Sequence, residues 1–158
     1  MVPPFYYAGT PNPYQWDTLV HCGDTVAFDF IANDNDYYPN GTQQNLLFEV
    51  SGGQFYNYND GIPCQNPPCA TFEESITGAT PPFSTANGTG TGQFEWITSC
   101  NHVINNCSGY SPSVYTFVVR VDNGFEYQDK SYSLTVNDSV TNITISGGVT
   151  IGAGISLG

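Results

Sequence analysis

Basic residues are nearly missing from this chain. Lys and Arg together number 2, against 14 Asp and Glu, so its 158 residues carry a formal net charge of -12. That balance argues against a nucleic-acid partner, because gripping phosphates needs a cationic surface. It argues equally against docking to anionic lipid. Charge of either sign is scarce, at 10%, yet 39% hydrophobic and 15% aromatic residues can still build a core, which is not a disorder signature. No run of apolar residues reaches transmembrane length, so membrane insertion is not expected. No apolar period of 3.6 residues extends to a useful helix. The first ten residues, MVPPFYYAGT, lack the basic and apolar regions of a signal peptide. No GxSxG or HExxH motif occurs. Glu73, Glu74, Glu95, Asp60 and His102 are therefore acid–base groups without a catalytic context, and the chain is not expected to be an enzyme.

What the chain does have is alternation. In GDTVAFDFIA, Val26, Phe28 and Phe30 share one face of a strand. Leu46, Phe48 and Val50 do the same in NLLFEV, and Phe94 and Trp96 in GQFEWIT. Tyr115, Phe117, Val119 and Val121 form the strongest such face, followed by Tyr132, Leu134 and Val136. Turn-forming stretches such as ANDNDYYPNG and DNG separate these runs. Short strands punctuated by turns predict an all-β fold, an antiparallel sandwich or barrel. Glu95, between Phe94 and Trp96, is expected on the solvent side. Residues 1–20 read as an entry segment or edge strand, residues 21–138 as the sandwich, and residues 139–158 as an extra strand or an inter-module and assembly segment.

Five cysteines are present: Cys22, Cys64, Cys69, Cys100 and Cys107. None forms a CxxC pair, and His21 and His102 are not spaced with them as in a zinc site. Cys64 and Cys69 bracket QNPP, a short rigid turn that can bring two sulfurs together, so a Cys64–Cys69 disulfide is predicted. Cys100 can pair with Cys22 or with Cys107. Cysteine-rich, lysine-poor chains are usually exported, which places this one outside the cell or on its surface.

The order of CGDTVAFDFIANDND, NDGIP, CATF, GTGQFEWITSC, YTFVVRVDNG and KSYSLTV resembles the immunoglobulin-like, cadherin/PKD-type modules of large Bacteroidota cell-surface proteins, gliding-motility adhesins among them. The resemblance spans about residues 20–137. It departs at Ile97-Thr98, where the family usually has Thr-Pro, and at the inserts CQNPPC and NNCSGYSPS. It implies an immunoglobulin-like sandwich with Trp96 in the core. It also implies a structural or adhesive role. The apolar, uncharged tail is expected to contact something beyond residues 20–137, such as a neighbouring module or a copy of the same chain, which in a filament would be strand addition.

Two kinds of ligand site are worth following. The loop Asn33-Asp34-Asn35-Asp36 is rich in the hard oxygens that Ca2+ needs. Asp122, Asn123 and Asp129 can approach it from the later hairpin, making Asp34, Asp36 and Asp122 the expected calcium set. The plain alternative is that these residues make Asx-turns. Tyr37, Tyr56 and Tyr58 sit in loops beside Asn and Asp, a combination that stacks on sugars and bonds their hydroxyls. A carbohydrate-binding module is therefore the rival to a purely structural one. The bland reading is that these rings cover the sandwich ends.

Overall fold

The computed structural model describes residues 6–8, 17–106, 109–111, 113–138, 143–145 and 149–151. Thirteen strands follow in order: β1 Tyr6–Ala8, β2 Asp17–His21, β3 Thr25–Asn33, β4 Leu46–Ser51, β5 Thr71–Glu74, β6 Phe83–Thr85, β7 Thr89–Ile97, β8 Ile104–Asn106, β9 Gly109–Ser111, β10 Ser113–Asp122, β11 Tyr127–Asn137, β12 Ile143–Ile145 and β13 Val149–Ile151. Among the described residues one 3-10 turn, Cys100–His102, interrupts them.

Two sheets make the sandwich. One has the order β1-β3-β7-β5, and the other β2-β11-β10-β4-β6. A four-stranded sheet thus faces a five-stranded one built around the β10–β11 hairpin, the layering of an all-β sandwich. The entry segment supplies two strands rather than one edge. β1 runs antiparallel to β3 in the first sheet, and β2 runs parallel to β11 in the second. β6 lies beside β4 although β5, on the opposite sheet, falls between them in the chain.

Alternation explains the core. Phe28 and Phe94 face each other across β3 and β7, and Phe117 and Tyr132 do so across β10 and β11. Each pair is stacked, with centroids 4.6 and 5.3 Å apart. The two pairs then meet edge-on between the sheets: Phe94 is T-shaped to Phe117 at 5.1 Å and to Tyr132 at 5.6 Å. Edge-to-face contact sets the positive rim of one ring on the negative face of the next. Leu46, Phe48, Phe72, Val119 and Leu134 complete a core closed to solvent.

β7 shows why a glycine can be required inside a strand. A Cβ on Gly92 would collide with Phe72 Cζ, and one on Gly90 would sit 2.7 Å from Phe48 Cε2. The side chains these positions lack are the space that the two rings fill.

The structure bonds Cys64 to Cys69 and Cys22 to Cys100. Of the two partners open to Cys100, it takes Cys22, while Cys107 lies outside the described residues. β12 and β13 pair with each other, and no ladder joins them to either sheet among the described residues.

Candidate functional site

Trp96 is not a surface platform. It is fully buried, and its indole N–H donates to the carbonyl of Pro68 at 2.9 Å. Two other buried side chains reach the same loop. Gln54 Nε2 donates to the carbonyls of Asn66 and Pro68, at 2.5 and 3.0 Å. His102 Nε2 lies 2.6 Å from the Asn66 carbonyl. The Ser99 N–H donates to His102 Nδ1 at 2.9 Å, which leaves the imidazole proton on Nε2, aimed at Asn66. The core thus grips the Cys64–Cys69 loop by three polar handles. Between them the three handles supply donors to two carbonyls of the loop, Asn66 O and Pro68 O, and so tie it to the core.

Burial pushes the His102 imidazole below its usual 6.5, and its bond to the Asn66 carbonyl offsets part of this. Stability should respond in a defined way. The unfolded chain takes up this proton as pH falls through about 6.5, whereas the folded chain resists it. Stability is therefore fully present above that pH and declines below it. Glu74 and Asp129 also favour the folded state, through Thr77 and Arg120, but their carboxyls lie below 4.5 and 3.8, so their share is lost only at stronger acidity. His102→Gln is expected to flatten the melting-temperature profile between about pH 7 and 5 while leaving the steeper acid limb. An unchanged profile would remove His102 from the account.

Beside the anchored loop lies a cleft of about 380 Å3. Tyr56 and Tyr58 line it, with ring centroids 5.4 Å apart and planes at 70°. Tyr58 is fixed, because its hydroxyl accepts the Phe72 N–H at 2.8 Å, and burial pushes its phenol above the usual 10.0. Tyr56 is held through its backbone, whose N–H donates to Ala70 O at 3.1 Å. The turn that follows closes on itself: Asn57 Oδ1 accepts the Asn59 and Asp60 N–H groups, and Asn57 Nδ2 donates to Asp60 Oδ2 at 2.8 Å. Tyr37 does not line this cleft. It stands 62% exposed in the 34–45 loop.

The residues singled out for Ca2+ meet only in part. Asp34 is fully buried. Its Oδ1 accepts the Asp36 N–H at 2.9 Å, and its Oδ2 accepts Asn123 Nδ2 at 2.8 Å. Asn123 does approach from the β10–β11 hairpin, as an amide donor to this carboxylate. Asp122 Oδ1 caps the turn by accepting the Gly124 N–H at 2.6 Å. Asp129 stays on the strand, paired with Arg120 through two bonds of 2.7 and 2.9 Å. Among the described residues, the three ligating groups that cluster are Cys22, Cys100 and Asp138, whose two sulfurs are spent on one disulfide. With Asp34 used inside the chain, EDTA is expected to leave the melting temperature unchanged. A rise of several degrees on adding Ca2+ would restore the calcium set.

The acid–base groups do not form one site, although Glu73 and Glu95 share a depression on the outer face of the first sheet with Asp29. Glu74 Oε2 accepts two N–H groups and the Thr77 hydroxyl in a tight turn. Glu73 and Glu95 lie exposed on the outer face of β5 and β7. His102 is the part that sequence reasoning missed. A lone histidine after a strand carries no local signal of burial, although Ser99, three residues earlier, is the start of a capping box.

Solved structures to which the chain is similar include three surface or enzyme proteins. A family 123 glycoside hydrolase from Clostridium perfringens matches 79% of this chain at 14% identity and a TM-score of 0.48, and the chain spans 23% of its length. The CooA pilin subunit from enterotoxigenic Escherichia coli matches 87% of this chain and 99% of its own, at 8% identity and 0.48. Domains 4 and 5 of the S-layer protein SbsC match 86% of this chain and 52% of theirs, at 11% identity and 0.36. No protein-family model matches the chain, and no curated protein matches it in sequence, so its function must be read from its own residues.

Proposed function

We propose that this chain is a non-catalytic structural or adhesive module of an exported cell-surface protein. The observation that carries the reading is the pair of disulfides, Cys22–Cys100 and Cys64–Cys69. Such bridges persist in oxidising surroundings and are rare where thiols are kept reduced. Strong acidity favours solubility of the exported module. Protease shaving of intact source cells tests the location. Release of peptides from this chain is expected; recovery only from the soluble cell interior would overturn the proposal.

Assembly is the second part of the proposal. A two-stranded ribbon is marginal by itself in water, and β12–β13 shares no ladder with the sandwich among the described residues. In this reading the ribbon seats on a neighbouring copy, where backbone hydrogen bonds supply affinity. Deleting residues 139–158 should lower the molar mass measured by light scattering to that of one chain. An unchanged mass would leave the segment as a linker.

A further inference from the structure

We propose that the Tyr56–Tyr58 cleft is a binding site for a neutral saccharide. This goes beyond the structural role above and does not depend on it. Three observations converge on the cleft.

The first is shape with preorganisation. A volume of about 380 Å3 falls within the roughly 300–1,000 Å3 of small-ligand clefts. Its walls are fixed before any ligand arrives. Tyr58 is pinned by the Phe72 N–H. Its lining also includes Cys64 and Gln65, in the loop that is bridged to Cys69 and gripped by Gln54, Trp96 and His102. Ordering costs that weaken binding elsewhere are already met here.

The second is the set of unused polar groups. The side chains of Ser51, Asn59 and Gln65 and the Tyr56 hydroxyl line the cleft and make no hydrogen bond to the described residues. Their neighbour Asn57, by contrast, is fully engaged by its own turn. The unused groups offer donors and acceptors without charge, the complement of a sugar's hydroxyls. The faces of Tyr56 and Tyr58 suit the apolar C–H face of a pyranose ring.

The third is charge. Glu49 is the one ionisable carboxylate on the lining, and the whole chain carries -12. An anionic glycan would be repelled. A depression of about 420 Å3 on the outer face of the first sheet makes a useful contrast. It is lined by Asp29, Glu73 and Glu95, and its two rings, Phe28 and Phe94, turn into the core. That surface offers nothing to stack on.

The test uses the full chain with both disulfides intact on an array of neutral oligosaccharides of hexoses, pentoses and N-acetylhexosamines. Sialylated and sulfated glycans share the array, and choline serves as a cationic probe in solution. Retention of a neutral glycan is expected, with titration then giving its Kd. Tyr56→Ala should weaken that Kd about tenfold or more, as loss of a central aromatic contact does. Tyr56→Phe should weaken it less, and Tyr37→Ala should leave it unchanged. If Tyr56→Ala fails to fold, Gln65→Ala carries the test, because that side chain has no hydrogen bond among the described residues to lose. Three outcomes would overturn the proposal: no neutral glycan held at millimolar concentration, binding of anionic glycans or choline only, or a Kd untouched by both Tyr56→Ala and Gln65→Ala.

Discussion

Replacing Cys22 and Cys100 together by alanine is expected to lower stability by about 4–5 kcal/mol, the larger of the two disulfide effects. The bridge closes a sequence separation of 78, whereas Cys64–Cys69 closes one of 5. In the chain-entropy picture a longer loop loses more freedom when closed, so the short bridge should contribute only about 2 kcal/mol. Location reinforces the difference. Cys22 is buried, and its N–H extends the parallel ladder by donating to Asn137 O at 2.8 Å. Cys100 follows β7 and opens the 3-10 turn that carries His102. The bridge therefore ties the segment before β3 to the segment after β7. Urea unfolding of the double variant measures the loss. A change below about 1 kcal/mol would mean that the unfolded chain is already compact there, or that the two segments are held by other contacts.

Asn123→Ala is the second large effect, at about 3 kcal/mol, or about 10 °C in melting temperature for a chain of this size. Asp34 is fully buried, and Asn123 Nδ2 is the donor to its Oδ2. Removing the amide strands a carboxylate oxygen away from water, which costs more than the net worth of the bond itself. The same amide's Oδ1 accepts the N–H groups of Phe125 and Glu126, at 3.0 and 2.8 Å, so the hairpin turn loosens as well. Around Asp34 the contacts are close: its N–H donates to Gly88 O at 2.6 Å and its carbonyl accepts from Gln43 Nε2 at 2.9 Å. One residue thus joins three loops at this pole. Asn123→Asp, which sets a second carboxylate against the first, should be at least as harmful. A melting temperature within 2–3 °C of the parent would show that water reaches Asp34.

These expectations separate what alternation can reveal from what it cannot. The inward faces of β3, β4, β7, β10 and β11 were legible because an apolar residue at every second position has one sensible place to go. The inward Trp96 followed from that and from the module resemblance. β6 was not legible: three residues, Phe83–Thr85, are too few for a period. The parallel pairing of β2 with β11 was hidden for a different reason. It depends on a partner more than 100 residues away, and local pattern says nothing about such partners. Thr98 is a third case. Where the resembling modules usually have proline, this chain has a buried threonine whose hydroxyl donates to His21 O or Asp24 O, at 2.9 and 2.8 Å. The departure from the pattern is a hydrogen bond that proline could not make.

The candidate site was legible in outline only. Tyr56 and Tyr58 stood out as loop aromatics, but Tyr37 looked the same in sequence and lies elsewhere. What distinguishes them is the cleft lining they share with the Cys64–Cys69 loop, which is held by Gln54, Trp96 and His102. Those residues are scattered over the chain and become a set only when the sheets pack. The acidic loop has the reverse history. Its composition suits calcium, and folding turns Asp34 inward to accept from an amide.

The most direct measurement of the central claim, an exported module braced by two disulfides, is peptide mapping of the chain recovered from its source under conditions that trap free thiols. The account predicts two linked species, one joining the peptides of Cys22 and Cys100 and one holding Cys64 to Cys69, each lost on reduction. Recovery of Cys22, Cys64, Cys69 and Cys100 all as trapped free thiols would contradict it, removing the brace, the oxidising compartment and the rigid wall of the cleft together.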